Sequence, residues 1–187
     1  MASKSDEQED QTEWSNVHVF NFPWERMVEA AYRKYPNPYS SSVHSLDTLE
    51  RSVTAAPGEA VGTRILSRRL FCTRWNIPSF ITRMTGTDPE VTVSEQSVCD
   101  VGRQTLTIRA RNISKQNFFT MDETLVYSVC PEDRNKTVLK QSANVNITIP
   151  VIGGLLESIW LSQYKSTVDN GRKGIVSVAE KITEEIL

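Results

Sequence analysis

The chain is poor in the residues that build metal centres and disulfide frameworks. Its 187 residues include three cysteines and two histidines. Cys72, Cys99 and Cys130 are odd in number and widely spaced, which matches neither a zinc pattern nor a disulfide framework. His18 and His44 lie in strand-like segments and have no metal-binding spacing such as His-Glu-x-x-His. We therefore expect no metal and no cofactor, and cysteines that are small, buried or half-buried strand residues.

Long apolar runs are also missing. The best candidate for a membrane span, around residues 147–160, is interrupted by Pro150, two glycines and Glu157. Residues 1–12 have no apolar core, and their acids argue against an amphipathic presequence. We expect a soluble protein without a targeting segment, in which residues 1–13 form a disordered acidic tail and residues 14–187 form one domain.

Neither a strong charge of one sign nor a catalytic motif is present. The net charge is −2, and no concentrated basic face indicates a nucleic-acid protein. A slight positive excess outside the tail is compatible with brief contact to an anionic membrane. There is no Gly-x-Ser-x-Gly elbow, and the adjacent carboxylates Asp122 and Glu123 would point to opposite faces of a strand. The sequence does not predict an enzyme.

Residues 34–40, Lys-Tyr-Pro-Asn-Pro-Tyr-Ser, end an amphipathic segment abruptly. From Trp24 the bulky apolar residues recur at the three-and-four spacing of one helical face, and Pro23 suits the first turn. Pro36 forces Tyr35 out of helical geometry. The pattern predicts a helix that begins at Trp24 and stops at this run, with Lys34 in its last turn, where a cation complements the helix dipole.

The middle of the chain reads as an antiparallel sheet. Alternation of apolar and polar residues, separated by turn signals, predicts strands at Val43–Thr54, Arg64–Trp75, Glu90–Asp100, Thr105–Asn112, Met121–Val129 and Thr137–Ile149. In the last of them Leu139, Ala143 and Val145 share one face, and polar residues share the other. The fold class is therefore α+β, with a sheet that needs a cover on one face.

Residues 152–186 follow helical spacing nearly to the end and predict a long helix across the sheet. Its middle breaks the bulky stripe with small or polar groups: Gln163, Ser166, Thr167, Asn170 and Gly171. Two interpretations stay open. Either the helix centre is partly solvated, or the helix does not close on the sheet and leaves a cavity lined by hydroxyls and amides.

One segment, residues 75–86, interrupts the strand pattern with clustered apolar residues. Pro78 can open a helical turn and Gly86 can end it. A small helix packed on the core is one interpretation. The other is a mobile lid or membrane-inserting loop, with Arg74 and Arg83 near lipid headgroups. The lid residues would be Trp75, Ile77, Pro78, Phe80, Ile81, Arg83 and Met84.

In their order, several motifs resemble the PRELI/MSF1 domain family, and within it the Slowmo branch. The resemblance runs from about Trp14 to the C-terminus. Its marks are Val19-Phe20 with Pro23-Trp24-Glu25, Lys34-Tyr-Pro-Asn-Pro, Arg69-Leu70 to Ser79, Asn112-Ile113-Ser114, Asp122-Glu123 and Lys136-Thr137-Val138-Leu139.

The resemblance implies a fold, a function and a partner. The fold is START-like, a curved antiparallel sheet gripping a long C-terminal helix, with a short lid over a lipid cavity. The function is phospholipid transfer across the mitochondrial intermembrane space, without a catalytic step. The partner is a small helical protein with twin Cys-x9-Cys motifs, on which the family relies for retention there.

The resemblance also indicates headgroup residues. In the phosphatidic-acid branch cations and a histidine bind phosphate at the positions of Lys34, Ser42, Thr73, Gln163 and Asn170. Here only Lys34 keeps its charge. Neutral Ser42 and Thr73 are similar to the phosphatidylserine-type proteins, because a serine headgroup brings its own ammonium and a second cation would repel it.

Two residues depart from this pattern. Tyr39 is more similar to the phosphatidic-acid branch, and Asn170 stands where both branches usually have lysine. Our hypothesis is that phosphate binds Lys34 while Ser42, Thr73, Thr167 and Asn170 hydrogen-bond the rest of a phosphatidylserine headgroup. The alternatives are phosphatidic acid, another lipid such as a sterol or fatty acid, and a scaffold for the partner that transfers nothing.

Overall fold

The computed structural model describes residues 12–55, 58, 63–75, 79–86, 88–149 and 153–186. Its strands span Thr12–Phe20 (β1), Val43–Thr54 (β2), Arg64–Arg74 (β3), Glu90–Asp100 (β4), Thr105–Asn112 (β5), Phe119–Val129 (β6) and Thr137–Ile147 (β7). Its α-helices span Trp24–Tyr32 (α1), Ser79–Thr85 (α2) and Gly153–Ile186 (α3), and Pro38–Ser40 form a 3-10 helix. The strands pair antiparallel in the order β1-β7-β6-β5-β4-β3-β2.

This architecture confirms the predicted helix-grip fold. One face of the curved sheet is covered by α3, and the alternating burial of β4 and β7 matches the predicted one-sided sheet. The hairpin β2–β3 forms as its turn signal predicts. No helix among the described residues is both long enough and apolar enough to cross a bilayer.

The ends of several elements differ from the sequence-based expectations. β1 begins at Thr12, so Thr12 and Glu13, which we placed in the acidic tail, pair with Val145 and Asn144 of β7. Trp75 follows β3 rather than ending it. Cys72 and Cys99 lie in β3 and β4, while Cys130 directly follows β6, and all three are free thiols.

Helix α1 is shorter than predicted. It ends at Tyr32, with Arg33 as its C-cap, so Lys34 does not lie in its last turn and does not complement its dipole. Because Pro36 restricts Tyr35 and has no N–H to donate one turn back, the helix ends before the proline is reached. Lys34 is thereby released from the helix, and its side chain turns toward α3.

The Tyr-Pro-Asn-Pro run anchors the segment after α1 to α3. Asn37 is buried and donates from Nδ2 to the carbonyl oxygen of Gly174 at 3.0 Å. Its Oδ1 accepts from the backbone N–H of Tyr39 at 2.9 Å, which caps the 3-10 helix. A Cβ atom at Gly174 would lie 3.0 Å from Oδ1 of Asn37, so this close approach requires glycine.

Two apolar clusters fill the space between the sheet and α3. The first joins α1 to the C-terminal half of α3 and includes Trp24, Met27 and Ile175. The second joins the N-terminal half of α3 to the other end of the sheet and includes Phe71 and Trp160. Hydrophobic burial thus holds the helix at both ends, and the space between the clusters is where a cavity forms.

Candidate functional site

A cavity of about 330 Å³ lies between the sheet and α3. This volume is at the lower end of the range for ligand cavities. Its lining combines aromatic and aliphatic side chains with polar and charged ones. The charged lining residues are Lys34, Arg74, Glu95, Glu123 and Arg172. The interpretation in which α3 does not close fully on the sheet is therefore the one that the structure supports.

Lys34 lies where the cavity meets the middle of α3. Its Nζ would be 3.2 Å from a Cβ atom placed on Gly171, so the missing side chain of that glycine makes room for the ammonium group. The same Nζ lies 5.2 Å from the ring centroid of Tyr35. No described carboxylate forms an ion pair with Lys34, which leaves the ammonium group available to an anion from outside the protein.

Most of the predicted headgroup residues come together in this cavity. Lys34 lines it together with Ser42, Thr73, Gln163 and Thr167. Asn170 does not line it and is exposed, as is Tyr39. Asn170 therefore lies beside the lining residues of α3, at the solvent-exposed edge of the helix, without lining the cavity itself.

The predicted lid residues are more scattered. Trp75 lines the cavity and packs on Phe119, with ring centroids 4.7 Å apart. Phe80 is 47% exposed and Arg83 is exposed, both on α2. Ile81 and Met84 also lie within α2, whereas Ile77 and Pro78 lie outside the described residues.

Sequence reasoning missed Glu95, a buried carboxylate on β4 that lines the cavity. Arg69 on β3 lies directly across from it and forms an ion pair with it, with Nη2 of the arginine 2.6 Å from Oε1. Burial raises the pKa of Glu95, while the charge and hydrogen bond of Arg69, and then the charge of Lys34, act in the opposite direction. The carboxylate of Glu95 is therefore held in the ion pair with Arg69 and contributes to the cavity as part of its lining.

Glu123 on β6 is the second missed carboxylate. Its Oε1 accepts hydrogen bonds from the hydroxyl of Tyr164 and from Nε2 of Gln141, the latter at 2.7 Å. Burial and the charge of Glu123 raise the pKa of Tyr164, so the phenol keeps its proton and acts as the donor. The neighbouring Asp122 is exposed and pairs with Arg111 on the other side of the sheet.

Arg172, on α3 next to Gly171, was missed as well. Its guanidinium donates to Oδ1 of Asn16 on β1 at 2.8 Å and lies 3.7 Å from the carboxylate of Asp169. Burial lowers the pKa of His18, and the charge of Arg172 lowers it further. This arginine therefore joins α3 to the edge strand beside the cavity.

A signal for the two carboxylates was present in the alternation of their strands. Glu95 shares a face with Val91, Val93 and Cys99, all of them buried. Glu123 likewise shares a face with Met121 and Leu125. A carboxylate in such a series is buried or faces a cavity, and in this chain both carboxylates line one.

The arrangement is suited to binding an amphipathic molecule. The polar lining offers one cation without a described ion pair, Lys34, together with hydroxyls, amides and two carboxylates, and the apolar lining offers burial for hydrocarbon. Among the described residues, no three histidine, cysteine, aspartate or glutamate side chains lie close enough together to hold a metal ion.

Comparison with solved structures places this fold in the START/Bet v1-like class of helix-grip proteins. TTHA0849 from Thermus thermophilus has a TM-score of 0.62 and 20% identity, covering 91% of this chain and 99% of that one. The Zhui aromatase/cyclase from Streptomyces sp. R1128 has a TM-score of 0.56 and 10% identity, covering 92% and 95%. At these identities the likeness is one of fold.

Within that class, the chain belongs to the PRELI-like family, whose model matches residues 25–185. It is similar to Protein UPS2, mitochondrial, of Saccharomyces cerevisiae, with 28% identity over 91% of this chain and 74% of the relative. It is also similar to PRELI domain-containing protein 1, mitochondrial, of Gallus gallus, with 28% identity over 91% and 78%. The predicted family membership is confirmed.

Proposed function

We propose that this protein is a non-enzymatic carrier that moves phosphatidylserine between the outer and inner mitochondrial membranes. The observation that carries the proposal is the cavity itself, in which Lys34 stands without a described ion-pair partner beside the hydroxyl groups of Ser42, Thr73 and Thr167. Phosphate is the anion that a lysine of this kind binds as a point charge. The apolar wall would take the beginning of the acyl chains, whose burial provides most of the transfer free energy.

Two relatives carry the word mitochondrial in their names, which supports a mitochondrial location for this chain. The resemblance of the motifs extends the proposal to the intermembrane space and to a complex with a small twin Cys-x9-Cys partner. Transient contact with anionic membranes would load and unload the cavity, with Phe80 and Arg83 on exposed positions of α2 as contacts.

Phosphatidic acid is the second candidate ligand. It offers the same phosphate to Lys34, and Tyr39 follows the phosphatidic-acid pattern. The polar lining favours phosphatidylserine, because Glu123, which has no described ion-pair partner, adds negative charge to the cavity and would repel a phosphomonoester dianion.

Native mass spectrometry of the purified chain with its co-purified lipid, followed by vesicle-to-vesicle transfer, tests the function. We expect a bound glycerophospholipid, and transfer of phosphatidylserine at least several-fold faster than that of phosphatidic acid. A sterol or fatty acid in the cavity would replace the proposal with another carrier function. An empty chain that transfers no lipid, even with its partner present, would favour a scaffold.

Gly171→Ala separates ligand binding from stability. Alanine stabilises a helix interior by about 0.5–1 kcal/mol over glycine, and the new methyl group meets only the flexible end of Lys34. We expect an equal or higher free energy of unfolding in urea, together with several-fold slower lipid transfer because the ammonium group is displaced. Gly154→Ala is the control, since its Cβ would meet no atom within 4 Å, and it should leave transfer unchanged.

A further inference from the structure

The charged groups of the cavity are not all neutralised by the protein. Glu95 pairs with Arg69, and Arg74 pairs with Glu90 at 3.0 Å. Arg172 lies 3.7 Å from Asp169. Among the described residues, this leaves Lys34 and Glu123 as the lining charges without an ion pair. Both residues are half-buried. A charge partly withdrawn from water is costly unless it is paired, so these two groups indicate a ligand with one anionic and one cationic group.

The carboxylate of Glu123 is oriented for such a ligand. Both of its hydrogen bonds, from Tyr164 and Gln141, end on Oε1. Oε2 accepts no hydrogen bond from any described residue. Tyr164 is itself fixed by Trp160 on one side and Trp14 on another, with centroid distances of 4.7 and 5.2 Å. Oε1 is therefore held by two hydrogen bonds from the protein, and Oε2 can accept a hydrogen bond from a ligand.

The neighbours of Glu123 leave room in front of it. Its cross-strand partners are Ala110 on β5 and Ala143 on β7, the smallest side chains that a regular strand carries. Ala110 lies between Glu123 and Glu95, so the backbones of the two glutamates are two strand spacings apart, about 10 Å. Glu123 thus lines the cavity between two small cross-strand neighbours, and no described cation forms an ion pair with it.

We propose that Glu123 binds the cationic group of the ligand, with Oε2 accepting a hydrogen bond from a primary ammonium while Lys34 binds the anionic group. This inference rests on the proposed function and deepens it. In this arrangement Glu123 makes the cavity prefer a lipid whose headgroup carries an ammonium group. A serine headgroup and an ethanolamine headgroup both carry the required ammonium.

Glu123→Gln keeps the shape and the acceptor oxygen but removes the charge. In vesicle transfer we expect this variant to move phosphatidylserine about tenfold more slowly than the wild type, because a hydrogen bond to a charged group becomes a neutral one. Transfer of phosphatidic acid should be unchanged or faster. Asp122→Asn is the matched control: it removes the same charge one residue away, on the exposed face, and should behave as the wild type.

A modified lipid tests the same contact without changing the protein. N-acetylated phosphatidylserine lacks the ammonium, so the wild type should transfer it about tenfold more slowly than phosphatidylserine, and Glu123→Gln should show no such difference. If the wild type transfers phosphatidylserine but not phosphatidylethanolamine, the preferred headgroup is serine. If it transfers both equally fast, the ammonium group is sufficient for recognition of the headgroup. Either result supports the ammonium contact.

Equal slowing of phosphatidylserine and phosphatidic acid by Glu123→Gln would overturn the inference and leave Glu123 as a support for Tyr164. Equal wild-type transfer of the acetylated and unmodified lipids would overturn it even if the variant fails to fold. In both cases the carrier function would stand. If the wild type transfers none of these lipids, the proposed function fails and the inference fails with it.

Discussion

Lys34→Gln should slow phosphatidylserine transfer roughly 10- to 150-fold. A hydrogen bond to a charged group contributes about 1.5–3 kcal/mol, and the variant loses this contribution to the binding of the ligand's phosphate. The free energy of unfolding should change little, because the lysine forms no ion pair with the described residues. Transfer between vesicles and urea denaturation of the same preparations measure the two quantities.

The control for this variant is Lys140→Gln. Lys140 is exposed on the outer face of β7, so its replacement makes the same change of charge outside the cavity. It should retain wild-type transfer at physiological ionic strength. If Lys34→Gln transfers lipid as fast as Lys140→Gln, the phosphate is not bound by Lys34, and the headgroup must lie elsewhere in the cavity.

The second large effect is on stability. Glu95→Leu should lower the free energy of unfolding by about 3–5 kcal/mol, because it leaves the Arg69 guanidinium buried without its partner. The side chains of this pair are 4% and 11% exposed, so solvent cannot replace the lost carboxylate. Arginine also cannot lose its proton to relieve the cost. Urea or thermal denaturation followed by circular dichroism measures the change.

The double variant Arg69→Met, Glu95→Leu separates the ion pair from the packing. Replacing both charges by apolar side chains of similar volume should restore most of the lost stability. Asp122→Asn, which breaks the exposed pair with Arg111, should cost no more than about 1 kcal/mol. A loss below about 1 kcal/mol in Glu95→Leu would mean that Arg69 finds another partner or reaches water.

Much of the fold follows from local patterns. The six strands β2 to β7 and the helix α3 were predicted within a few residues, because period-two and period-3.6 alternation directly reflect which face is buried, whereas β1 was seen only as a strand-like segment around His18. The end of α1 was placed too late, with Lys34 in the last turn, since the pattern of apolar residues continues to Tyr35 while the helix already ends at Tyr32, ahead of Pro36. The beginning of β1 was missed because Thr12 and Glu13 are polar and are held by pairing with β7.

The site was predicted only in part. Lys34, Ser42, Thr73, Gln163 and Thr167 do line one cavity, although they come from four separate segments. Glu123 was set aside because adjacent carboxylates point to opposite faces of a strand, and spacing alone does not show whether the inward face meets a core or a cavity. Asn170 was included because it stands at a headgroup position of the family that the motifs resemble, but in this chain it is exposed and does not line the cavity.

The sequence by itself determined the elements of this protein, the order of its strands along the chain, its apolar faces and its family. These properties depend on residues close together in the chain, where alternation, proline and glycine act locally. Only the tertiary structure decided where charge remains uncompensated. Lys34 and Glu123 are 89 positions apart in the sequence. Whether each has a partner depends on the packing of α3, β4 and β6 around one cavity, and that packing makes them the two charges left for a ligand among the described residues.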